Sequence, residues 1–299
     1  MNSISQVDEP IHIVSPLQHS VALSKLLPAG TEVYMKQENT QPASSFKIRG
    51  ISRLAQKVNL SLATLSVLYF NHLFNTQLHF LSQLKKDGYQ RLIGASGGNA
   101  GLAISHASQI IGIPCTVYVP TTAPMVTIQM MKDKGAEVKK PSALVVSVGG
   151  GGLLLGILQG LQNVGWQDVP VVAMETYGAN CFNLAVQAKA VVVLEKITSS
   201  VPPYLLEVIP NFNVISRVVS DPEALESCIK FADDERILVE PACGASLAAI
   251  YSGVLEDLHS KGIVTLTAGP VVVVVCGGAG VSLKMLQDWA KQLNVKFPS

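Results

Sequence analysis

Short apolar runs alternate with helical patterns along most of this chain, and this alternation restricts its fold more than any other feature. Segments that read as strands include RLIGAS, CTVYVP, ALVVSV, VPVVAME and PVVVVVC. Helical periodicity falls between them, over residues 99–111, 124–134, 153–162 and, as one long helix, 240–258. Strands separated by helices of ten or more residues predict an α/β fold with parallel sheet. The unbroken valine run Val271–Val275 predicts a strand at the centre of a sheet, covered on both faces.

Composition restricts the function classes. Of the 299 residues, 48% are hydrophobic and 14% charged, which suits sheets covered on both faces in one large or two medium domains. The net charge of +1, without a block of like charge, argues against a nucleic-acid partner. The five cysteines form no Cys-x-x-Cys pair, and MNSISQVDEP lacks the basic and apolar regions of a signal peptide. We therefore expect a cytoplasmic protein with reduced thiols.

Four consecutive glycines, Gly149–Gly152, stand between a predicted strand and a predicted helix. Because glycine has no Cβ, the backbone N–H groups of such a loop can approach an anion, and the helix N-terminus adds its positive dipole. The segment is not a P-loop, since no Gly-Lys-Ser/Thr follows it. A tight turn is the alternative, although one glycine usually suffices for that. The glycines therefore predict a phosphate site.

A dinucleotide site is a competing interpretation of the same glycines. Glu175 ends the next strand, at about the position where a Rossmann acid meets a ribose. The glycines, however, form one block and lack the Gly-x-Gly-x-x-Gly spacing. A nicotinamide enzyme would also leave without a role the lysine of the segment QPASSFKIRG, Lys47.

The segment QPASSFKIRG places Lys47 directly after a phenylalanine and small residues. The ordinary interpretation is a capped helix, with Pro42 in the first turn, Ser44 or Ser45 as the cap, and Lys47 facing water.

The segment GASGGNAG, residues 94–101, also lies between a strand and a helix. Its amide groups could hold a carboxylate, and Asn99 offers both a donor and an acceptor; a capped helix start is the alternative. A lysine, a phosphate cradle and a carboxylate loop together are what pyridoxal phosphate chemistry on an amino acid requires.

Six segments carry a family resemblance, in the order SSFKIRG, SGGNAG, SVGGGGLL, METYGA, VEPACGA and VVVCGG. From about Pro10 to Leu293 the chain resembles the L-serine dehydratase/L-threonine deaminase family, including its serine dehydratase-like branch. The resemblance implies fold type II of the pyridoxal phosphate enzymes (tryptophan synthase β-like), with two domains whose parallel sheets are covered by helices. It implies a large cofactor-binding domain at 1–48 and 141–299 and a small domain at 49–140. It also implies a homodimer that converts L-serine to pyruvate and ammonia, and L-threonine to 2-oxobutanoate.

The resemblance also assigns roles to single residues. Lys47 would be the catalytic Schiff-base lysine, with Phe46 beside the cofactor ring. Asn99 would bond the phenolic oxygen of the cofactor, and Cys276 would face its pyridine nitrogen; a buried core cysteine is the alternative. The substrate carboxylate would be held by Ser96, Gly97, Gly98, Asn99 and Ala100, and the phosphate by Gly149, Gly150, Gly151, Gly152 and Leu153. Glu175 and the carbonyl of Ala179 would bind a monovalent cation such as K⁺.

The chain departs from the family pattern in three places. An insert at about 58–86 has no charged residue between Val58 and Leu84, but its scattered polar residues argue against a membrane span. AEVKK runs into ALVVSV without the roughly a dozen residues that a parallel crossover needs, so these strands cannot be sequential neighbours in one parallel sheet. We therefore expect an incomplete small domain. A shortened segment at 199–212 would remove carbonyls from the cation site. A non-catalytic splice or gene-model variant is the alternative function.

Overall fold

The computed structural model describes residues 12–49, 92–95, 105, 109, 114–118, 133, 136–137, 140–194 and 199–298. Its β-strands are β1 (Leu17–Ser20), β2 (Val33–Gln37), β3 (Leu92–Ala95), β4 (Cys115–Tyr118), β5 (Ala136–Glu137), β6 (Ala143–Ser147), β7 (Val171–Thr176), β8 (Val214–Val219) and β9 (Val271–Val275). Its α-helices are α1 (Val21–Ser24), α2 (Gly152–Asn163), α3 (Cys181–Ala188), α4 (Pro203–Val208), α5 (Asp221–Glu235), α6 (Pro241–Tyr251), α7 (Val254–Ser260) and α8 (Leu283–Gln292).

The strands form two sheets. A six-stranded sheet has the order β1-β2-β9-β6-β7-β8, and a three-stranded sheet has the order β3-β4-β5. All pairings are parallel except that of β1 with β2, an antiparallel edge that the sequence patterns did not predict. The α/β fold with parallel sheets is therefore confirmed. β5 and β6 lie in different sheets, as the short connection between them requires.

The valine strand β9 lies inside the large sheet, between β2 and β6. Val271, Val273 and Val275 have no exposed surface, and Val274 keeps 6%. Helix α6 contacts β6, β7 and β9, and every residue from Cys243 to Ile250 is buried. A helix that is buried all round must be apolar or small all round, as the sequence PACGASLAAIY is. The predicted central position of β9 is confirmed.

The predicted single helix over 240–258 is wrong. Helix α6 ends at Tyr251, and α7 begins at Val254. Gly253 lies in the left-handed region with a φ of +73°, and its N–H donates to Ile250 O at 3.2 Å. Left-handed glycine ends a helix because it lacks the Cβ that would disfavour this conformation.

Two other predicted helices, 99–111 and 124–134, lie almost wholly outside the described residues, although Ser105, Gln109 and Asp133 are helical. The insert at 58–86 lies outside them as well. Among the residues that the structure does describe, no helix is long and apolar enough to cross a membrane.

Candidate active site

Several of the residues singled out in the sequence lie at one edge of the large sheet. Strands β2, β9, β6 and β7 run parallel, so their carboxyl ends lie on the same side. Ligands of open α/β sheets bind beyond this edge. Glu38 follows β2, Cys276 follows β9, Gly149–Gly152 lie just beyond β6, and Glu175 lies in the last part of β7.

The glycine segment opens α2. Gly151 caps the helix with a φ of +78°, and a Cβ on it would lie 2.7 Å from Leu205 Cδ2 of α4. A Cβ on Gly149, Gly150 or Gly152 would instead meet no atom within 4 Å. The first amide groups of a helix have no partner inside the helix and carry its positive dipole. The loop therefore leaves open space at three of its glycines, next to the first amide groups of α2. A phosphate group needs this arrangement.

Lys47 begins a short helical turn and is exposed. The residues before it are tied to the end of β9, because Phe46 N donates to Cys276 O at 3.4 Å and Gly278 N donates to Ser44 O at 2.9 Å. This close approach requires glycine at position 277, where a Cβ would lie 2.3 Å from Ser44 O. The fold therefore brings Lys47 beside Cys276 at the sheet edge.

The capped-helix interpretation of this segment is only partly right. Lys47 is exposed, as that interpretation expects, but Pro42 lies in a turn that precedes the helix. Ser44 has a φ of +54°, and Ser45 forms an isolated bridge with Gly277. The serines therefore attach the lysine turn to β9.

A partly buried ion pair, between Arg49 and Glu38, anchors the same turn. Arg49 Nε and Nη2 donate to the two carboxylate oxygens of Glu38, each at 2.8 Å. Ser15 Oγ and Gln41 Nε2 also donate to this carboxylate, at 2.5 and 3.2 Å. Burial raises the pKa of Glu38, but the bonds from Arg49 and Ser15 outweigh it and hold this pKa below its usual value.

The Cys276 thiol is buried, with 5% of the residue exposed. Its sulfur lies 3.5 Å from Ser147 Oγ, and it interacts with the thiol of Cys243 on α6. The interaction with Cys243 lowers the pKa of Cys276, burial opposes this, and the contact with Ser147 lowers it further. The carboxylate of Glu240 lies nearby and accepts a bond from Gly280 N at 2.7 Å. Cys276 thus belongs to the hydrophobic core, as the alternative interpretation expects, and its sulfur also has a polar contact.

Glu175 is buried, and both of its carboxylate oxygens face the start of α3. Phe182 N and Asn183 N donate to them at 2.9 and 2.7 Å. Burial raises the pKa of Glu175 to about 7, although these bonds oppose the shift. A carboxylate held in this way by its own chain is poorly placed to meet a ribose, so the geometry does not favour a dinucleotide site.

Ala179 lies in the loop between β7 and α3, and its N–H donates to Thr176 O at 3.0 Å. Cys181 Sγ, at the start of α3, contacts Gly149 O at 3.5 Å, so this loop adjoins the glycine segment. Helix α4 occupies the shortened segment at 199–212. Within the described ranges, no three His, Cys, Asp or Glu side chains gather as they would around a metal ion.

The predicted carboxylate loop, Ser96, Gly97, Gly98, Asn99 and Ala100, lies outside the described residues. Three groups at the sheet edge were missed by the sequence patterns: Ser147, Cys243 and Glu240. Ser147 lies in SVGGGGLL, and the other two lie in VEPACGA. The sequence signal for these residues was therefore their place in segments that carry the family resemblance.

Comparison with known proteins agrees with this geometry. The chain matches the family model described as pyridoxal-phosphate dependent enzyme over residues 9–140 and 137–277. It is 37% identical to the L-serine dehydratase/L-threonine deaminase of Homo sapiens, over 96% of this chain and 97% of that protein. It is also 37% identical to the serine dehydratase-like protein of Homo sapiens, over 93% and 94%. A fungal L-serine ammonia-lyase from Rhizomucor miehei superposes with a TM-score of 0.61 at 27% identity, over 95% of this chain and 99% of that one.

The two stretches matched by the family model meet at residues 137–140, where the chain passes from the small sheet to the large one. The alignment with the human dehydratase has 346 positions, more than the 299 residues of this chain. That relative therefore has residues at positions where this chain has none.

Proposed function

This chain belongs to the family of pyridoxal-phosphate dependent enzymes of fold type II, and we propose that it is an ammonia-lyase that converts L-serine to pyruvate and ammonia. L-Threonine would give 2-oxobutanoate by the same route. The observation that carries the proposal is the meeting of Lys47, Cys276 and the glycine cradle at one sheet edge. The relatives named as dehydratases do not favour the non-catalytic alternative.

The described residues fit the cofactor. The open space above Gly149, Gly150 and Gly152 would take its phosphate, with the amide groups at the start of α2, including that of Leu153, as donors. Phe46, which packs against the core, would lie beside the ring, and Cys276 would face the pyridine nitrogen. Bound pyridoxal phosphate supplies an aldehyde that captures an amine and a ring that withdraws electrons from the substrate Cα.

Lys47 would hold the cofactor covalently through Nζ and, after the substrate amine replaces it, would remove the α-proton. The exposed position of Lys47 suits this exchange, because its side chain is free to move between the two roles. Ser96, Gly97, Gly98, Asn99 and Ala100 would hold the substrate carboxylate, and Asn99 would also bond the phenolic oxygen.

A thiol at the pyridine nitrogen is a weaker acid than a carboxylic acid, so Cys276 would leave the ring nitrogen largely unprotonated. Electron withdrawal by the ring is then moderate. This suits a reaction in which the β-hydroxyl leaves as soon as the α-proton has gone.

The same proposal covers the cation, the domains and the assembly. Glu175 and the carbonyl of Ala179 would bind a monovalent cation such as K⁺ beside the cradle. The large sheet, from strands within 1–48 and 141–299, would form the large domain, and the small sheet, from strands within 49–140, the small domain. All five cysteines are free, as in a cytoplasmic protein, and we expect a homodimer from the family resemblance.

The deciding experiment is the Lys47→Ala variant. It should lose both the visible absorbance of the lysine-bound cofactor and all ammonia release from serine. Lys25→Ala changes an exposed lysine at the opposite end of the sheet, in the connection between β1 and β2, and should keep both. Borohydride reduction followed by peptide mapping should label Lys47. A label on another lysine would overturn the assignment.

A further inference from the structure

The sulfur of Cys276 is contacted by two polar side chains that the proposed reaction does not otherwise use. We infer that Ser147 and Cys243 are positioning residues that act through Cys276, by directing two hydrogen-bond donors at the sulfur that faces the cofactor ring. This inference builds on the proposed function, because that function places the ring nitrogen beside Cys276.

The fold explains why Ser147 meets this sulfur. Ser147 is the last residue of β6, and Cys276 directly follows β9, its parallel neighbour in the sheet. The two strands end at the same edge, which leaves Ser147 Oγ and Cys276 Sγ 3.5 Å apart. Ser147 is half-buried and stands two positions before the glycine cradle, on the side of the proposed cofactor.

Cys243 reaches the same sulfur from α6, the helix that covers this part of the sheet. Cys243 has no exposed surface and Cys276 keeps 5%, so bulk water does not compete for these bonds. The interaction raises the pKa of Cys243 and lowers the pKa of Cys276.

Two donors on one sulfur make the S–H of Cys276 a stronger donor in turn. With the cofactor bound, the S–H of Cys276 would point at the ring nitrogen, which is an acceptor when unprotonated. Ser147 O–H would donate to the sulfur and keep its own proton, and the proton of Cys276 would stay on sulfur. The pair therefore sets how strongly Cys276 polarises the ring without transferring a full charge to it.

Other ionisable groups near the sulfur act in the opposite direction. Burial and the carboxylate of Glu240, at the start of α6, both raise the pKa of Cys276. The Cys228 thiol on α5 is also close enough for its charge to interact with that of Cys276. The test therefore has to isolate Cys276 from these neighbours.

The test follows the titration of Cys276 in the cofactor-free protein. Thiolate ultraviolet absorbance is recorded against pH for each protein and for a second version of it that also carries Cys276→Ser, and the difference gives the part of the titration that depends on Cys276. Ser147→Ala should raise the midpoint by about one pH unit, since a bond to a charged acceptor is worth this much. Ser147→Thr keeps the hydroxyl and should restore the midpoint.

The matched control is Ser142→Ala, which removes a buried hydroxyl just before the opposite end of β6, where Ser142 Oγ donates to Pro270 O at 3.3 Å. It should leave the midpoint unchanged. Cys243→Ala removes the second donor and should raise the midpoint as well; it decides the question alone if Ser147→Ala does not fold.

The inference is overturned if Ser147→Ala and Cys243→Ala fold, bind pyridoxal phosphate and titrate as the unmodified protein does. The proposed function fails separately. A chain whose midpoint moves as expected but which releases no pyruvate from serine refutes the function alone, whereas pyruvate release with an unmoved midpoint refutes only the inference.

Discussion

The Arg49→Met substitution tests whether the partly buried ion pair beside Lys47 holds the lysine turn in place. Glu38 has 3% of its surface exposed and accepts bonds from Arg49, Ser15 and Gln41. The variant removes the only cation among these donors and leaves the carboxylate with two neutral donors and the nearby charge of Lys36. Breaking a buried pair in this way costs about 3–5 kcal/mol.

The lower end of this range applies here, because the Arg49 side chain is 33% exposed and water can replace part of its interaction. We therefore expect a loss of about 3 kcal/mol. Against a total of about 5–15 kcal/mol for a typical protein, this is a large fraction. Urea denaturation followed by tryptophan fluorescence measures the loss directly.

The pH dependence gives the sign of the effect. The folded-state pKa of Glu38 lies below its usual 4.5, so the pair stabilises the protein above about pH 4.5, and this contribution is lost as the pH falls through the folded-state pKa. In Arg49→Met that pKa is no longer lowered by the guanidinium. The stability difference between the two proteins should therefore shrink at acidic pH.

Two comparisons identify the cause. Arg217→Met is the control. Among the described contacts, Arg217 donates to the backbone carbonyl of Ser216 and to no carboxylate. Its loss should lower the free energy of unfolding by under about 1 kcal/mol. The double variant Glu38→Gln/Arg49→Met removes the charge that Arg49→Met leaves unpaired, so it should be more stable than Arg49→Met. If it is instead less stable by the full cost of a second substitution, the uncompensated carboxylate is not the cause and our reasoning is refuted.

Three further predictions concern the sheet edge. Gly151→Ala should weaken pyridoxal phosphate binding, measured by fluorescence titration, because its Cβ would lie 2.7 Å from Leu205 at a φ of +78°. Gly156→Ala, in open space on the same helix, should bind as before. Equal affinities of the two variants would contradict the role of Gly151 in the cradle. Burial raises the pKa of Glu175 from 4.5 to about 7, so its contribution to stability is fully present below pH 4.5 and falls as the pH rises through 7. Glu175→Gln should flatten this decline, measured by urea denaturation without added cation. An unchanged decline would show that another group causes it. Cys276→Asp should lower pyruvate release while sparing cofactor binding, because an acid would protonate the ring nitrogen; wild-type turnover with an unchanged spectrum would show the prediction to be wrong.

Local patterns in the sequence were sufficient for the fold class and for several elements. The valine run of β9 could only be an interior strand, and the helices between apolar runs required parallel pairing. The Gly149–Gly152 block likewise predicts a phosphate site without a structure, because a helix start that lacks side chains lets an anion approach its amide groups. The prediction of one helix over 240–258 failed because it overlooked Gly253, which takes a left-handed conformation between α6 and α7.

The contacts that make the site depend instead on the order of the strands. Phe46 meets Cys276 because β2 lies beside β9, and Ser147 meets the same cysteine because β6 lies on its other side. Nothing in the periodicity of a strand states which neighbour it will pair with, since every apolar strand offers the same backbone donors and acceptors. The sequence by itself determined which segments become strands, helices and a glycine loop at a helix start. The tertiary structure decided which of their ends lie together, because strand order is settled by the packing of all the elements at once.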